Sequence, residues 1–243
     1  MTRFTLLGVP IDPLTEIEAV DWVAHAIVEG RPRVVISVNP ERIMHAGRDP
    51  EFGAVLAGAD LALADGAGVL WAARRLGHPL PALVPGVDFV RALAARGAAQ
   101  GWRFFFLGGA PGVAEAAGRV LSASFPGFIL AGTHAGAPDP ASDAATTAAV
   151  RSSGAQVLLL AYGAAAEEAW LARNLGRSGA TVGMGVGGAF DFISGRVPRA
   201  PRWMRERGLE WLHRLSREPW RWRRMLALPH FVIRVMRERK AGG

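Results

Sequence analysis

Arg103-Phe104-Phe105-Phe106-Leu107-Gly108-Gly109-Ala110-Pro111-Gly112 carries an apolar run straight into a glycine turn. Four consecutive apolar residues fit a strand covered on both faces, which is the condition of a parallel sheet. The amphipathic stretch 112–124 that follows has helical length and spacing. Glycines at such a turn let backbone N–H groups approach an anion, and the dipole of the following helix favours phosphate. The pattern is neither GxGxxG nor a P-loop, so Gly108-Gly109 reads equally well as a plain structural turn.

The same unit recurs on either side. Strands are expected at 4–9, 34–38, 60–64, 128–131, 156–162 and 180–184. Helices are expected at 88–99, 142–153 and 167–177, with an earlier one opened by the capping box Thr15-Glu16-Ile17-Glu18. Residues 132–142, rich in Pro and Asp, read as a surface loop. The alternation predicts an α/β class fold, a mostly parallel sheet with helices on both faces. Ligands of such sheets sit outside the carboxyl ends of the strands. This directs attention to 37–39, 65–66, 108–109, 163–168 and 185–191.

The chain has 243 residues, half of them hydrophobic, and 30 glycines, which excludes a disordered polymer. It has no cysteine, which excludes disulfides, thiol nucleophiles and Cys-based metal sites. The first residues lack the apolar core of a secretory signal, and no apolar run approaches the roughly 18 residues of a membrane span. A cytoplasmic location is therefore expected. The six histidines show no metal-ligand spacing and there is no Asp-x-Asp pair, so the expected chemistry uses neither metal nor cofactor.

Charge divides the chain. Residues 1–195 carry 14 Arg/Lys and 17 Asp/Glu, a net of −3, whereas residues 196–243 carry 14 and 4, a net of +10. Two units are expected: a catalytic domain at 1–195 and a basic, helical appendage at 196–243. The appendage holds Trp203, Trp211, Trp220 and Trp222 among arginines, and then Phe231-Val232-Ile233. Indoles settle at the headgroup level of a bilayer while guanidiniums meet lipid phosphates. An anionic membrane surface is the expected partner of this tail. Packing on the domain or on a second copy, as a homo-oligomer, and a nucleic-acid-binding arm are the competing readings.

Among the strand ends, Asp65 of Leu63-Ala64-Asp65-Gly66-Ala67-Gly68 is placed to take a proton from a hydroxyl, although Asp-Gly is also an ordinary turn pair. Ser37 and Asn39 are candidates for sugar hydroxyls, and Asn39 before Pro40 equally suits a helix cap. Gly187-Gly188-Ala189-Phe190-Asp191 forms a second glycine turn. There Asp191 can accept from a base or ribose and Phe190 can pack on the ring, or both phenylalanines at 190 and 192 belong to the core.

Taken together, Asn39-Pro40-Glu41, Ala64-Asp65-Gly66-Ala67-Gly68, Pro85-Gly86-Val87-Asp88, Leu107-Gly108-Gly109, Gly185 to Phe192, and Arg199-Ala200-Pro201 leading to Gly208-Leu209-Glu210-Trp211 resemble the WecG/TagA/CpsF family of bacterial glycosyltransferases. The resemblance runs nearly the whole chain. It implies a Rossmann-like domain, a UDP-sugar donor, a polyprenyl-diphosphate-linked acceptor, and inversion without a metal, with Asp65 as the base. It also implies that tail arginines, best matched by Arg214, Arg221 and Arg224, lie near the diphosphate. Two positions depart from the family pattern. Leu83 stands where an arginine is usual, and Glu167 of Ala165-Ala166-Glu167-Glu168 replaces a neutral amide. A carboxylate beside a diphosphate is unfavourable, so Glu167 is expected to face sugar hydroxyls or a displaced helix. The expected function is sugar transfer onto a lipid-linked saccharide at the inner face of the cell membrane, in surface polysaccharide synthesis. The alternatives are a non-catalytic nucleotide-sugar or lipid binder and a nucleic-acid-binding protein.

Overall fold

The computed structural model describes residues 2–217, 219 and 222–241, without the side chains at 206, 214, 223, 224 and 239–241. Arg221 lies outside the described residues, and so do the side chains of Arg214 and Arg224.

The chain begins with a hairpin, β1 (Phe4–Leu6) and β2 (Val9–Ile11), followed by α1 (Glu16–Glu29). Then come β3 (Arg33–Val38), α2 (Pro40–Ala46), α3 (Pro50–Ala57), β4 (Leu61–Ala64), α4 (Ala67–Arg75) and α5 (Gly86–Gln100). The second half runs β5 (Arg103–Gly108), α6 (Val113–Ser124), β6 (Ile129–His134), α7 (Asp143–Ser153), β7 (Val157–Ala161), α8 (Ala166–Ser178), β8 (Val182–Gly185) and α9 (Ala189–Ile193). The tail contributes α10 (Arg202–Glu206), α11 (Glu210–Arg217), α12 (Trp222–Met225) and α13 (Ala227–Ala241).

Among the described residues, six strands form one parallel sheet in the order β4-β3-β8-β7-β5-β6. Side chains alternate across it. Val35, Leu61, Leu63, Phe104, Phe106, Val157, Leu159 and Met184 enter one core with α1, α5, α6 and α9. Ile36, Val38, Ala62 and Ala64 enter the opposite core with α2, α3 and α4, and Phe105, Leu107, Leu158 and Leu160 pack there against α7 and α8. With both faces covered, the polar chemistry is confined to the strand ends. This is the α/β architecture expected from the apolar runs, in the Rossmann-like form that the family resemblance implies.

The capping box is present: Glu18 N–H donates to Thr15 Oγ1 at 3.3 Å and Thr15 N–H to Glu18 Oε2 at 2.8 Å. The expected single strand at 4–9 is instead the β1–β2 hairpin. Leu7 (φ 50) and Gly8 (φ 88) both take left-handed backbone, and two such residues in succession reverse an antiparallel pair. A leucine in that region is set by its surroundings, so the run gave no sign of the turn. The hairpin leads to Asp12, which covers the outer edge of β4. Asp12 N–H donates to Ala62 O at 2.9 Å, its carboxylate accepts from Ala62 N–H at 2.8 Å, and Arg3 clamps it through two bonds of 2.8 and 2.7 Å. A sheet edge occupied in this way offers no template to a second chain. At the other edge β6 extends to His134 and takes the first residues of the expected loop.

The tail returns to the domain. Phe231 and Val235, four residues apart on α13, are both buried in the core formed by α2 and α4, and Phe231 lies beside Gly68. Val232 and Ile233 face outward, 42% and 48% exposed, so the apolar triplet 231–233 is split between core and surface. No helix among the described residues is long and apolar enough to cross a membrane. Replacing Phe231 by Ala should cost about 3–5 kcal/mol of stability, while Val232→Ala at the exposed neighbour should stay within about 0.5 kcal/mol, both read by denaturant unfolding.

Candidate active site at the carboxyl edge of the sheet

Parallel strands deliver all their carboxyl ends to one edge. Here β5 leads into α6 on one face and β7 into α8 on the other, which opens a crevice between the two strand ends. Gly108 (φ +87) and Gly109 (φ +80) stand at the end of β5. A side chain on Gly108 would meet the Tyr162 ring at 2.7 Å, and Gly109 N–H donates to Ala161 O at 2.9 Å, so only glycine fits this close approach. Tyr162, just past β7, has a buried hydroxyl with no partner among the described residues. Burial, with Asp143 and Asp139 adding, pushes that phenol up to about 12.

On the other side, β3 and β4 are paired with Val38 opposite Ala64, which places Ser37 beside Asp65. Ser37 Oγ donates to Asp65 Oδ2 at 3.0 Å. Burial raises the Asp65 carboxyl above its ordinary value, and the nearby charge of Glu210 adds to this. The Ser37 hydroxyl, the Gly86 N–H and the charge of Arg42 oppose the shift without cancelling it. The result is a carboxylate with more proton affinity than a solvated one. Asn39 is the N-cap of α2, accepting from Arg42 N–H at 3.0 Å through Oδ1, so its side-chain NH2 is what it has left to offer a ligand.

Arg42 ties these parts together. It is only 6% exposed, and it donates to Glu167 Oε2 at 3.0 Å and to Glu168 Oε1. Glu167 Oε1 accepts from Gly163 N–H at 2.9 Å and from Gly187 N–H at 2.8 Å, and Glu168 Oε2 accepts from Ala165 N–H at 3.0 Å. The turns after β7 and β8 and the helix after β3 are thus joined through one ionic knot. It needs Gly185, where a Cβ would lie 2.6 Å from Glu167 Oε2.

The expectation that Glu167 faces sugar hydroxyls is corrected by this arrangement. Its side chain is fully buried and both oxygens are engaged inside the protein. Phe190 is likewise a core residue, 1% exposed and stacked on Phe106 with centroids 4.6 Å apart, so it presents no face to a nucleotide ring. Gly187 (φ +53), Gly188 and Asp191 occupy the turn and first residues after β8, partly exposed at the same edge. Strands lie about 4.8 Å apart, so the end of β8 is two intervals, roughly 10 Å, from Asp65 on β4 and as far from Gly108 on β5. Sequence reasoning missed Arg42, because nothing in its i+3 spacing from Asn39 announces a buried charge. Leu83, at the second departure from the family pattern, is half-buried beside Asp88 and Arg91 in an open groove of about 450 Å³. No group of three or more His, Asp or Glu side chains gathers as a cation site among the described residues.

Burial, with the charge of Glu168, pushes Glu167 up to about 7, against the pull of Arg42 and the two N–H donors. Between about 4.5 and 7 the folded chain therefore holds a proton that the unfolded chain releases, so this residue's contribution to stability falls as pH rises through that window. Relative to the parent, Glu167→Gln should gain stability between pH 5 and pH 7.5 and level off above it. Denaturant midpoints of both proteins across that range measure the difference.

The family model described as the glycosyl transferase WecG/TagA/CpsF family matches residues 4–242. The chain is 32% identical over 238 residues to an N-acetylglucosaminyldiphosphoundecaprenol N-acetyl-beta-D-mannosaminyltransferase of Bacillus spizizenii, covering 94% of this chain and 92% of that one. It is 30% identical over 216 residues to the protein of the same name from Bacillus subtilis, covering 89% and 84%.

Proposed function

Because the chain belongs to the WecG/TagA/CpsF family of glycosyl transferases, we propose that it moves a hexose from a UDP-sugar to a sugar carried on a polyprenyl diphosphate, as a step in surface polysaccharide synthesis. The names of the two Bacillus relatives support N-acetylmannosamine as the transferred sugar and N-acetylglucosaminyl-diphosphoundecaprenol as the acceptor class.

The observation that carries the reading is Asp65, a half-buried carboxyl of raised proton affinity at a strand end, held by Ser37. The acceptor hydroxyl attacks the anomeric carbon as Asp65 takes its proton. The bond from that carbon to the diphosphate breaks on the opposite side, which inverts the centre. Ser37 orients the base, and the NH2 of Asn39 binds a sugar oxygen. The turns at Gly108-Gly109 and Gly187-Gly188, with Asp191, hold the nucleotide. The leaving diphosphate is stabilised by backbone N–H groups and tail arginines, in the place a divalent cation would take. Arg214, Arg221 and Arg224 are the arginines proposed for that role.

Glu167 bears on the rival reading of a non-catalytic relative. Its charge is consumed inside the fold by Arg42, so this departure from the family pattern puts no carboxylate beside the diphosphate. Asp65→Asn should lower turnover by about 10²–10⁴-fold while UDP binding stays within a factor of a few. Radiolabel transfer from a panel of UDP-sugars to lipid-linked acceptors, run beside UDP titration, gives both numbers. A fully active Asn variant would remove Asp65 from the role of base, and saturable binding with no product from any pair would favour the binder.

The tail supports docking at the inner leaflet, where such an acceptor resides. Trp203 and Trp211 are 52% and 43% exposed on a segment of high positive charge, and Leu212, Leu226, Ile233 and Met236 are exposed along the tail. Replacing Trp203 and Trp211 by Ser should reduce co-sedimentation of the full chain with phosphatidylglycerol vesicles several-fold and leave its unfolding midpoint unchanged. Equal sedimentation of both proteins would exclude the indoles as anchors.

A further inference from the structure

Three motifs to which the transfer chemistry assigns no task meet at one guanidinium. Arg199 donates Nη2 to Asp88 Oδ2 at 2.8 Å and Nη1 to Asp88 Oδ1, a paired geometry that only arginine makes. Its Nε donates to Glu210 Oε1 at 3.0 Å. Asp88 stands in the first turn of α5, directly after the segment that follows the Asp65 strand. Glu210 opens α11 in the tail.

A second contact lies nearby. Gly208 (φ +70) approaches Ala67 so closely that a side chain there would sit 2.5 Å from the Ala67 Cβ. Ala67 opens α4, two residues beyond Asp65. The tail therefore rests on the first residue of α4, just past the candidate base, and only glycine permits the approach. Glu210 is close enough for its charge to act on Asp65.

The Arg199 cluster differs in kind from the one around Arg42. The side chains of Arg199, Asp88 and Glu210 are 18%, 33% and 36% exposed, whereas Arg42, Glu167 and Glu168 are 7%, 0% and 0%. A buried knot holds permanently. A partly solvated bridge is weak enough to open and re-form. Burial works against the Asp88 charge, but its bonds to Arg199 and the charges of Arg199, Arg205 and Arg91 hold it below the ordinary carboxylate range. Asp88 thus stays ionised as the fixed half of the contact.

We propose that Arg199 is a positioning residue whose clasp on Asp88 and Glu210 docks the start of the tail, residues 199–217, over the Asp65 end of the cleft and brings the Glu210 carboxylate to bear on Asp65. The second half rests on the reading of Asp65 as the base. The groups that face Asp65 are Ser37 from β3, Arg42 from α2 with Glu167 and Glu168 behind it, the Gly86 N–H from α5, and Glu210 from α11. Among the described side chains Glu210 is the one delivered by the tail, and it favours the protonated form. Tail closure and base strength are thereby coupled. An acceptor that enters while the tail is open meets a weaker base than one enclosed by it.

Hydrogen exchange of the full-length chain tests the clasp without any substrate. Arg199→Ala should speed exchange of peptides within 202–217 at least tenfold and leave the β5 and β7 peptides unchanged, and Arg199→Lys should fall between it and the parent. Unchanged exchange at 202–217 overturns the clasp. The pH profile of kcat/KM tests the coupling: Glu210→Gln keeps an oxygen for Arg199 and should shift the acidic limb to lower pH. An unmoved limb overturns the action of Glu210 on Asp65. A parent chain that makes no product removes the transfer reading and that coupling together, while exchange still decides the docking.

Discussion

Arg42 stands at the junction on which the geometry of the strand-end edge depends. A guanidinium withdrawn from water is costly unless its donors are met, and Glu167 and Glu168 meet them. Glu167 then uses its other oxygen to fix the turns after β7 and β8, so one side chain sets the spacing of three strand ends. The arrangement also accounts for features that look unrelated in the chain. Gly185 lacks a side chain because the two carboxylates fill that space. Ala165 takes φ 69, unusual for a residue with a Cβ, where its N–H meets Glu168. Two carboxylates share one cation, and burial, with the charge of Glu168 adding, pushes Glu167 up.

A sheet buried on both faces leaves its strand ends as the place for polar work, and this chain puts rigid and openable elements there side by side. The Arg42 knot is enclosed, and the Ser37–Asp65 bond and the close glycine packing at Gly108 are partly so. The tail meets the Asp65 end of this edge through contacts that water can reach. The tail is nevertheless held at its far end, because Phe231 and Val235 are core residues of the domain. It is anchored by α13 and, between 199 and 217, held by the partly exposed Arg199 clasp, an arrangement in which a segment can lift without leaving.

Local signals were legible where one physical cause dominated. Apolar runs such as Val157 to Ala161 specify buried strands because no other element tolerates them at that length. The Thr15–Glu18 box and the Asn39-Pro40 cap are short-range hydrogen-bond patterns and stand where they were expected. The β1–β2 turn was not legible, because a leucine at positive φ is held by packing rather than by its own preference. Glu167 and Phe190 were each left between two readings for a related reason. Each sits beside a glycine turn at a strand end, where exposed and buried side chains alternate with no periodic mark.

By itself the sequence determined the α/β class and the family, since these follow from apolar periodicity and from motifs that are contiguous in the chain. It also carried the charge contrast between the first 195 residues and the tail. Only the tertiary structure decided which of those strand-end residues touch. Arg42 meets Glu167 across 125 residues and Arg199 meets Asp88 across 111. Pairings of that separation depend on how strands are ordered in the sheet, and a charge has no periodicity to reveal its partner. The burial that turns Glu167 from a ligand contact into a strut is a property of three loops meeting, which no one of them encodes.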